Sequence, residues 1–169
     1  MSELLVRSVR PTDAADLAAI YSFEAVIANS GQIPFRDQQF WCSFWKAKDP
    51  NGVELVCDVD GRAVGHLGIV TNASARRKHV ATFGIAVHPD FQGRGVGNAL
   101  IAEMVKVSDN WLNILRMELT VASDNKRAMG LYLKHGFVVE GEAKFDNFRA
   151  GKFTHSTVMA RINPAYSAQ

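Results

Sequence analysis

His88-Pro89-Asp90-Phe91-Gln92-Gly93-Arg94-Gly95-Val96-Gly97-Asn98 sets three glycines at alternate positions, between a strand-like stretch and the most regular amphipathic run of the chain. Glycine leaves the backbone open to approach, so successive N–H groups can converge where side chains would stand in the way. A helix starting behind the loop adds the positive end of its dipole. The sequence therefore predicts an anion site suited to a pyrophosphate, with tight turns for packing alone as the plainer reading. Counting tests the two common nucleotide fingerprints, and both fail. A G-x-G-x-x-G begun at Gly93 needs glycine where Asn98 stands, begun at Gly95 it needs glycine where Leu100 stands, and no Gly-Lys is followed by Ser or Thr.

Outward from the loop, Gly95 to Asn110 reads as a helix, with Gly97, Leu100, Ile101, Met104, Val105 and Ser108 tracing one stripe. His79 to Val87 before it reads as a strand. Val53–Val59 and Ala63–Thr71 flank Asp60-Gly61, the two-residue signal of a tight hairpin. Leu4 to Val9 alternates as a first strand. From Thr12-Asp13 the spacing predicts a helix through Leu17, Ile20 and Tyr21 to Asn29-Ser30-Gly31, and a second, aromatic one from Arg36 to Lys46. Beyond the loop helix follow a strand at Arg116–Val121, a helix at Asn125–His135 stopped by Gly136, and strands at Phe137–Glu140 and Phe153–Arg161. Antiparallel meanders with one strand-helix-strand crossover make this an α+β fold: a mixed, mostly antiparallel central sheet flanked by about four helices.

The 169 residues suit a single domain, 1–169, large enough to hold a core without metal or disulfide. A formal net charge of +2 is too small to predict a nucleic-acid surface. The longest uncharged stretch, Ala63 to Ala75, falls short of the ~18 apolar residues of a membrane span. Met-Ser-Glu-Leu-Leu at the start lacks the pattern of a signal peptide, so the expectation is a cytoplasmic protein. Cys42 and Cys57 have no His at zinc-ligand spacing; both are expected to be packing residues, and no metal is expected.

Gln92-x-x-Gly95-x-Gly97 resembles the cofactor loop of the GNAT superfamily of acyl-CoA-dependent N-acetyltransferases, and the resemblance covers Leu4 to Arg161. Gly84-Ile85-Ala86-Val87-His88-Pro89 looks like the strand that precedes that loop. Asp124-Asn125-Lys126-Arg127-Ala128, Leu131-Tyr132 and His135-Gly136-Phe137 resemble the family's N-x-x-A-x-x-x-Y-x-x-x-G-F pattern. A closer resemblance, to bacterial members that acetylate free L-amino acids, rests on His79-Val80-Ala81, Phe83-Gly84-Ile85, Asp109-Asn110-Trp111-Leu112, Glu118-Leu119-Thr120-Val121 and Met159-Ala160-Arg161. What this implies is a GNAT-like fold, acetyl-CoA as co-substrate, and transfer of its acetyl group to the primary amine of a small molecule such as an L-amino acid. Alternative acceptors are a protein N-terminus or lysine, a polyamine or an amine antibiotic; a silent acyl-CoA-binding sensor is the alternative outside enzymes.

The resemblance implies cofactor contacts at Ile85, Ala86, Val87, Gln92, Gly93, Arg94, Gly95, Val96, Gly97, Asn98, Asn125, Ala128 and Tyr132. Amides near Val87 would polarise the thioester carbonyl, and Tyr132 would return a proton to the departing thiolate. Asn125 serves equally as a helix cap, and Tyr132 as a core tyrosine bonded to backbone. Three candidates remain for the general base. Glu24 continues the stripe of Leu17, Ile20 and Tyr21, Glu118 is expected opposite Val87, and a water chain competes with both. Phe40 and Phe44, with Trp41 and Trp45, are core residues or the wall of a pocket for an apolar acceptor, Glu24 lying on the same side. Arg76-Arg77-Lys78-His79 reads as a solvated hairpin tip or a phosphate contact. The apolar strand Phe153 to Ala160 either finishes the sheet or pairs with a second copy in a homodimer.

Overall fold

The computed structural model describes residues 3–44 and 51–166, so Trp45 and Lys46 lie outside the described residues. Seven strands are hydrogen-bonded in the order β1-β2-β3-β4-β5-β7-β6: β1 Leu5–Ser8, β2 Val53–Val59, β3 Arg62–Thr71, β4 Val80–Val87, β5 Arg116–Ala122, β6 Val138–Arg149 and β7 Lys152–Ile162. Five α-helices accompany them among the described residues: α1 Ala14–Ile20, α2 Glu24–Ile27, α3 Gln38–Phe44, α4 Val96–Asn110 and α5 Lys126–Lys134. The α+β class with a mostly antiparallel sheet holds; β4 with β5 is a parallel pair.

The chain forms two compact units, Met1–Val70 with Gly84–Val105, and Thr71–Phe83 with Lys106–Gln169. In the first unit β1, β2 and β3 form an antiparallel meander. Asp60 (φ 52°) and Gly61 (φ 84°) turn β2 into β3, as the dipeptide predicts. The core gathers Leu17, Ile20, Tyr21, Trp41 and Val56, with Phe40 and Phe44 against it. Arg7 is locked beneath by both Asp13 oxygens and by Asp58 at 2.7–2.9 Å. Burial, the largest single influence, works to raise the Asp13 pKa, and the Arg7 hydrogen bonds, the Arg10 amide and the charges of both arginines together outweigh it, holding the carboxyl below its ordinary range.

The single first helix predicted from Thr12 to Asn29 is corrected: a 3-10 turn leads into α1, and α2 is separate. Extended backbone at Phe23 (ψ 126°) makes the break, and the Ser22 hydroxyl closes on the Ala19 carbonyl. Glu24 consequently opens a new, short helix and is exposed rather than continuing the apolar stripe. The aromatic helix starts later than predicted, where the Asp37 side chain accepts from the Phe40 amide. Cys42 stands exposed on it, against the expectation of packing, whereas Cys57 is buried and burial pushes its thiol pKa up.

In the second unit β5 runs parallel to the first half of β4 and antiparallel to β7, which pairs with β6. One expectation is corrected here. β6 runs on to Arg149, its polar sequence accommodated by register shifts after Val139 and Ala143, and Ala150-Gly151 turns the chain with positive φ at both positions. β7 is flanked on both sides, by β5 and β6, so Phe153–Ala160 finishes the sheet; the edge strand is β6.

Candidate functional site

In the first unit, β4 delivers the chain into the glycine loop. The His88 amide donates to the Val64 carbonyl (2.9 Å), the Phe91 amide to the His88 carbonyl (2.9 Å), and Gln92 Nε2 to the Val87 carbonyl (3.1 Å). Gly93 (φ 79°) and Gly95 (φ 90°) then adopt left-handed backbone. At Gly95 the nearest obstacle to a Cβ is Leu4 Cδ1 at 3.5 Å, so backbone conformation, rather than lack of room, requires glycine. The Ala99 amide returns to the Gly95 carbonyl (2.9 Å) and starts α4, whose first-turn amides at Val96, Gly97 and Asn98 come before any intrahelical acceptor. Val96 is buried against Gly65, where a Cβ would meet Val96 Cγ1 at 2.6 Å. That close approach seats the helix N-terminus on β3. Arg94 is exposed with its guanidinium 5.3 Å from the Phe91 ring centre. The loop thus offers first-turn amides, a helix dipole and one outlying cation, a donor set that fits a pyrophosphate. Before the loop, Ala86 is buried and Ile85 and Val87 are half-buried.

The same unit holds a polar chain that sequence reasoning missed. Tyr21 Oη lies 2.9 Å from His66 Nδ1, and His66 Nε2 lies 2.5 Å from Glu54 Oε2. All three are nearly enclosed, and burial raises the Tyr21 pKa, so its phenol keeps its proton. Trp41 stacks on Tyr21 at 4.5 Å, and Phe40 and Phe44 meet Trp41 edge-on at 5.2 Å. The Phe23 ring meets His88 at 4.8 Å, and His88 meets Phe91 at 5.7 Å. A run of ring contacts thereby ties the break between α1 and α2 to the glycine loop. Residues 21, 54 and 66 are far apart in sequence, and each lies in an apolar run that reads as ordinary core.

In the second unit, Asn125 caps α5, its side chain accepting from the Ala128 amide at 3.1 Å. Gly136 (φ 85°) follows the end of that helix. Tyr132 points its ring at Phe83 (5.7 Å) and Phe137 (5.9 Å), and among the described residues no group hydrogen-bonds its hydroxyl. Burial pushes its pKa up to about 12. Glu118 is paired with Thr82 rather than lying opposite Val87. Its two oxygens are taken by Arg77 (2.7 Å) and Arg116 (3.0 Å), and Arg116 reaches on to Glu140. The Arg77 guanidinium is therefore spent on a protein carboxylate, in keeping with the solvated-tip reading of Arg76–His79.

Residues 17–137 match the model of the acetyltransferase (GNAT) family. The L-amino acid N-acetyltransferase AaaT of Escherichia coli K12 is 38% identical over 163 residues, covering 96% of this chain and 99% of that protein. The spermidine N(1)-acetyltransferase of the same organism is 27% identical over 121 residues, covering 72% of this chain and 64% of that protein. Among solved structures, the spermidine N-acetyltransferase of Vibrio cholerae in complex with CoA and spermine superposes with a TM-score of 0.83 at 22% identity, covering 95% of each chain. With a family match through the glycine loop to Phe137, and a relative this similar over nearly the whole length, the chain belongs to the GNAT family: it is an N-acetyltransferase, and acetyl-CoA is its co-substrate.

Proposed function

We propose that the enzyme acetylates the α-amine of a free L-amino acid with an apolar side chain. The observation that carries this is the extent of the likeness to AaaT, which includes α1–α3 as well as the cofactor loop. The aromatic rings of Phe40 and Phe44, half-buried on α3, suit an apolar side chain. In this reading the amides and side chains of Ile85, Ala86 and Val87 hold the acyl arm, residues Gln92 to Asn98 hold the pyrophosphate, and Asn125 and Ala128 border the cofactor. The neutral amine attacks the thioester carbonyl, polarised by the Val87 amide, and the C–S bond breaks as the C–N bond forms. Tyr132 gives its proton to the leaving thiolate and regains one from solvent. The high pKa of its buried phenol keeps that proton in place at neutral pH. Glu24, exposed on α2, accepts the amine proton through water, whereas both Glu118 oxygens are committed to guanidinium groups.

The proposal extends to a cytoplasmic enzyme of a bacterium, one domain over residues 1–169, and a homodimer. Val138, Val139, Phe145, Phe148 and Phe153 are all more than half exposed on β6 and β7. Val138 and Val139 are consecutive and face opposite sides of the sheet, whereas Phe148 and Phe153 are cross-strand partners on one face, and that pair is the apolar surface a second copy would cover. Light scattering on the purified protein tests this, and a monomer at micromolar concentration excludes it. The acceptor is tested by following thiol release from acetyl-CoA against L-amino acids, polyamines, peptides and amine antibiotics. Release with apolar L-amino acids is expected; release with polyamines and none with amino acids overturns the reading.

A further inference from the structure

A guanidinium is held in folded proteins by carboxylates or carbonyls, because its N–H groups lose water on burial and need acceptors in return. Buried and half-buried arginines here follow that rule in the main. Arg7 is answered by Asp13 and Asp58, Arg116 by Glu118 and Glu140, and Arg161 by Asp109 at 2.7–2.8 Å. Arg36 departs from it. Its Nε is enclosed and has no hydrogen-bond partner, and among the described residues no carboxylate pairs with it. What holds it is the ring of Phe40, whose centre lies 4.2 Å from the guanidinium carbon. The half-buried side chain is thus fixed against an aromatic wall with its Nε unpaired and no carboxylate of the described residues on its terminal nitrogens.

Its surroundings indicate what would pair with it. Phe40 and Phe44 are in ring contact at 5.7 Å and leave part of their surface uncovered, so an apolar group is accommodated beside the cation. Through Trp41 and Tyr21 this patch continues to the end of α1, just before Phe23, whose ring on His88 leads to the glycine loop. A ligand with one planar anion and one apolar side chain on the same carbon matches a cation beside an aromatic wall. A carboxylate accepts two parallel N–H bonds from a guanidinium, which a lone amine or a polyamine cannot do.

We infer that Arg36 binds the α-carboxylate of the acceptor amino acid and thereby sets the enzyme's preference for free amino acids over amines that lack a carboxylate. This rests on the amino-acid reading of the acceptor above. Since amine and carboxylate share one carbon, fixing the carboxylate also restricts where the nucleophile can be, so the effect is one of binding and orientation.

The test compares the apolar L-amino acid that the wild type acetylates fastest with that amino acid's carboxamide, in wild type, Arg36→Gln and Arg36→Lys. Taking the ratio of kcat/KM for acid over amide within one preparation cancels any difference in folded fraction. Arg36→Gln should lower this ratio about tenfold or more, chiefly through KM for the acid, with the amide and acetyl-CoA constants unchanged. Arg36→Lys, which keeps the charge and loses the fork, should recover part of the ratio. An unchanged ratio in Arg36→Gln overturns the role of Arg36 and leaves the amino-acid reading standing. Acid and amide falling together, or a raised KM for acetyl-CoA, also overturns it, the latter pointing to a cofactor phosphate. Failure of the wild type to acetylate any L-amino acid overturns both.

Discussion

The glycine loop at 92–98 and the α1–α3 segment belong to the same unit, yet they are put together by opposite means. The loop works with main chain: two residues in left-handed backbone and a helix start. The α1–α3 segment works with side chains brought from distant positions, Tyr21 to His66 to Glu54 on one side and Arg36 over Phe40 on the other. A main-chain site is insensitive to most side-chain changes around it and intolerant of the few that alter backbone. A side-chain site distributes its sensitivity over the packing of the whole segment, and can change ligand without changing fold.

Gly95→Glu breaks the comparison most severely. With φ at 90°, any side chain is strained there, and a carboxylate also repels phosphate. Calorimetry should show acetyl-CoA affinity lowered by at least about 100-fold; unchanged affinity would remove the pyrophosphate from this loop. Tyr132→Phe should lower kcat about 100-fold while leaving acetyl-CoA affinity within about twofold. Because burial carries the phenol up to about 12, kcat in the wild type should not fall near pH 10, the ordinary tyrosine value. The sign for stability follows from the same shift. The unfolded chain ionises first, so the contribution of the buried phenol is whole below pH 10 and declines as pH rises toward 12.

His66→Leu sharpens the contrast from the other side. It takes a hydrogen-bond partner from both the Tyr21 hydroxyl and the Glu54 carboxylate, and urea unfolding should register a loss of about 2 kcal/mol. Acetyl-CoA affinity should be unaltered, since the loop's amides are untouched; a large loss of affinity would show that the two regions are not separable. Arg94→Ala is the mildest. Exposed and held over Phe91, Arg94 adds to a site the backbone already makes, and affinity should fall about threefold or less.

Legibility in the sequence follows the same division. Features whose cause is local were readable: the Asp60-Gly61 turn, the alternate glycines, Asn125 as cap and Gly136 after the helix each depend on one residue's backbone preference. The break at Tyr21–Phe23 was not, because the helical spacing continues through it; what ends α1 is an extended Phe23, and Tyr21 is held by His66, 45 positions away. The sixth strand was read only as far as Glu140; pairing with β7, with two register shifts, carries it on to Arg149. Glu118 read as available for proton transfer, since neither Arg77 nor the side-chain direction of Arg116 can be inferred from spacing. The family motifs were legible because the glycine loop and the Asn125 cap are local in sequence, whereas the Tyr21–His66–Glu54 chain is not.

Each unit is assembled from two separate stretches of chain, with β4 and α4 running from one unit to the other. Translation therefore orders the parts of the enzyme. The first unit is complete once residue 105 has emerged, and by then the glycine loop is in place. Residues 71–83 emerge earlier and wait, Arg77 for a Glu118 that is 41 positions further on. A nascent chain halted between the two units carries the glycine loop and lacks α5, so the ribosome finishes the unit with the loop before the unit with that helix.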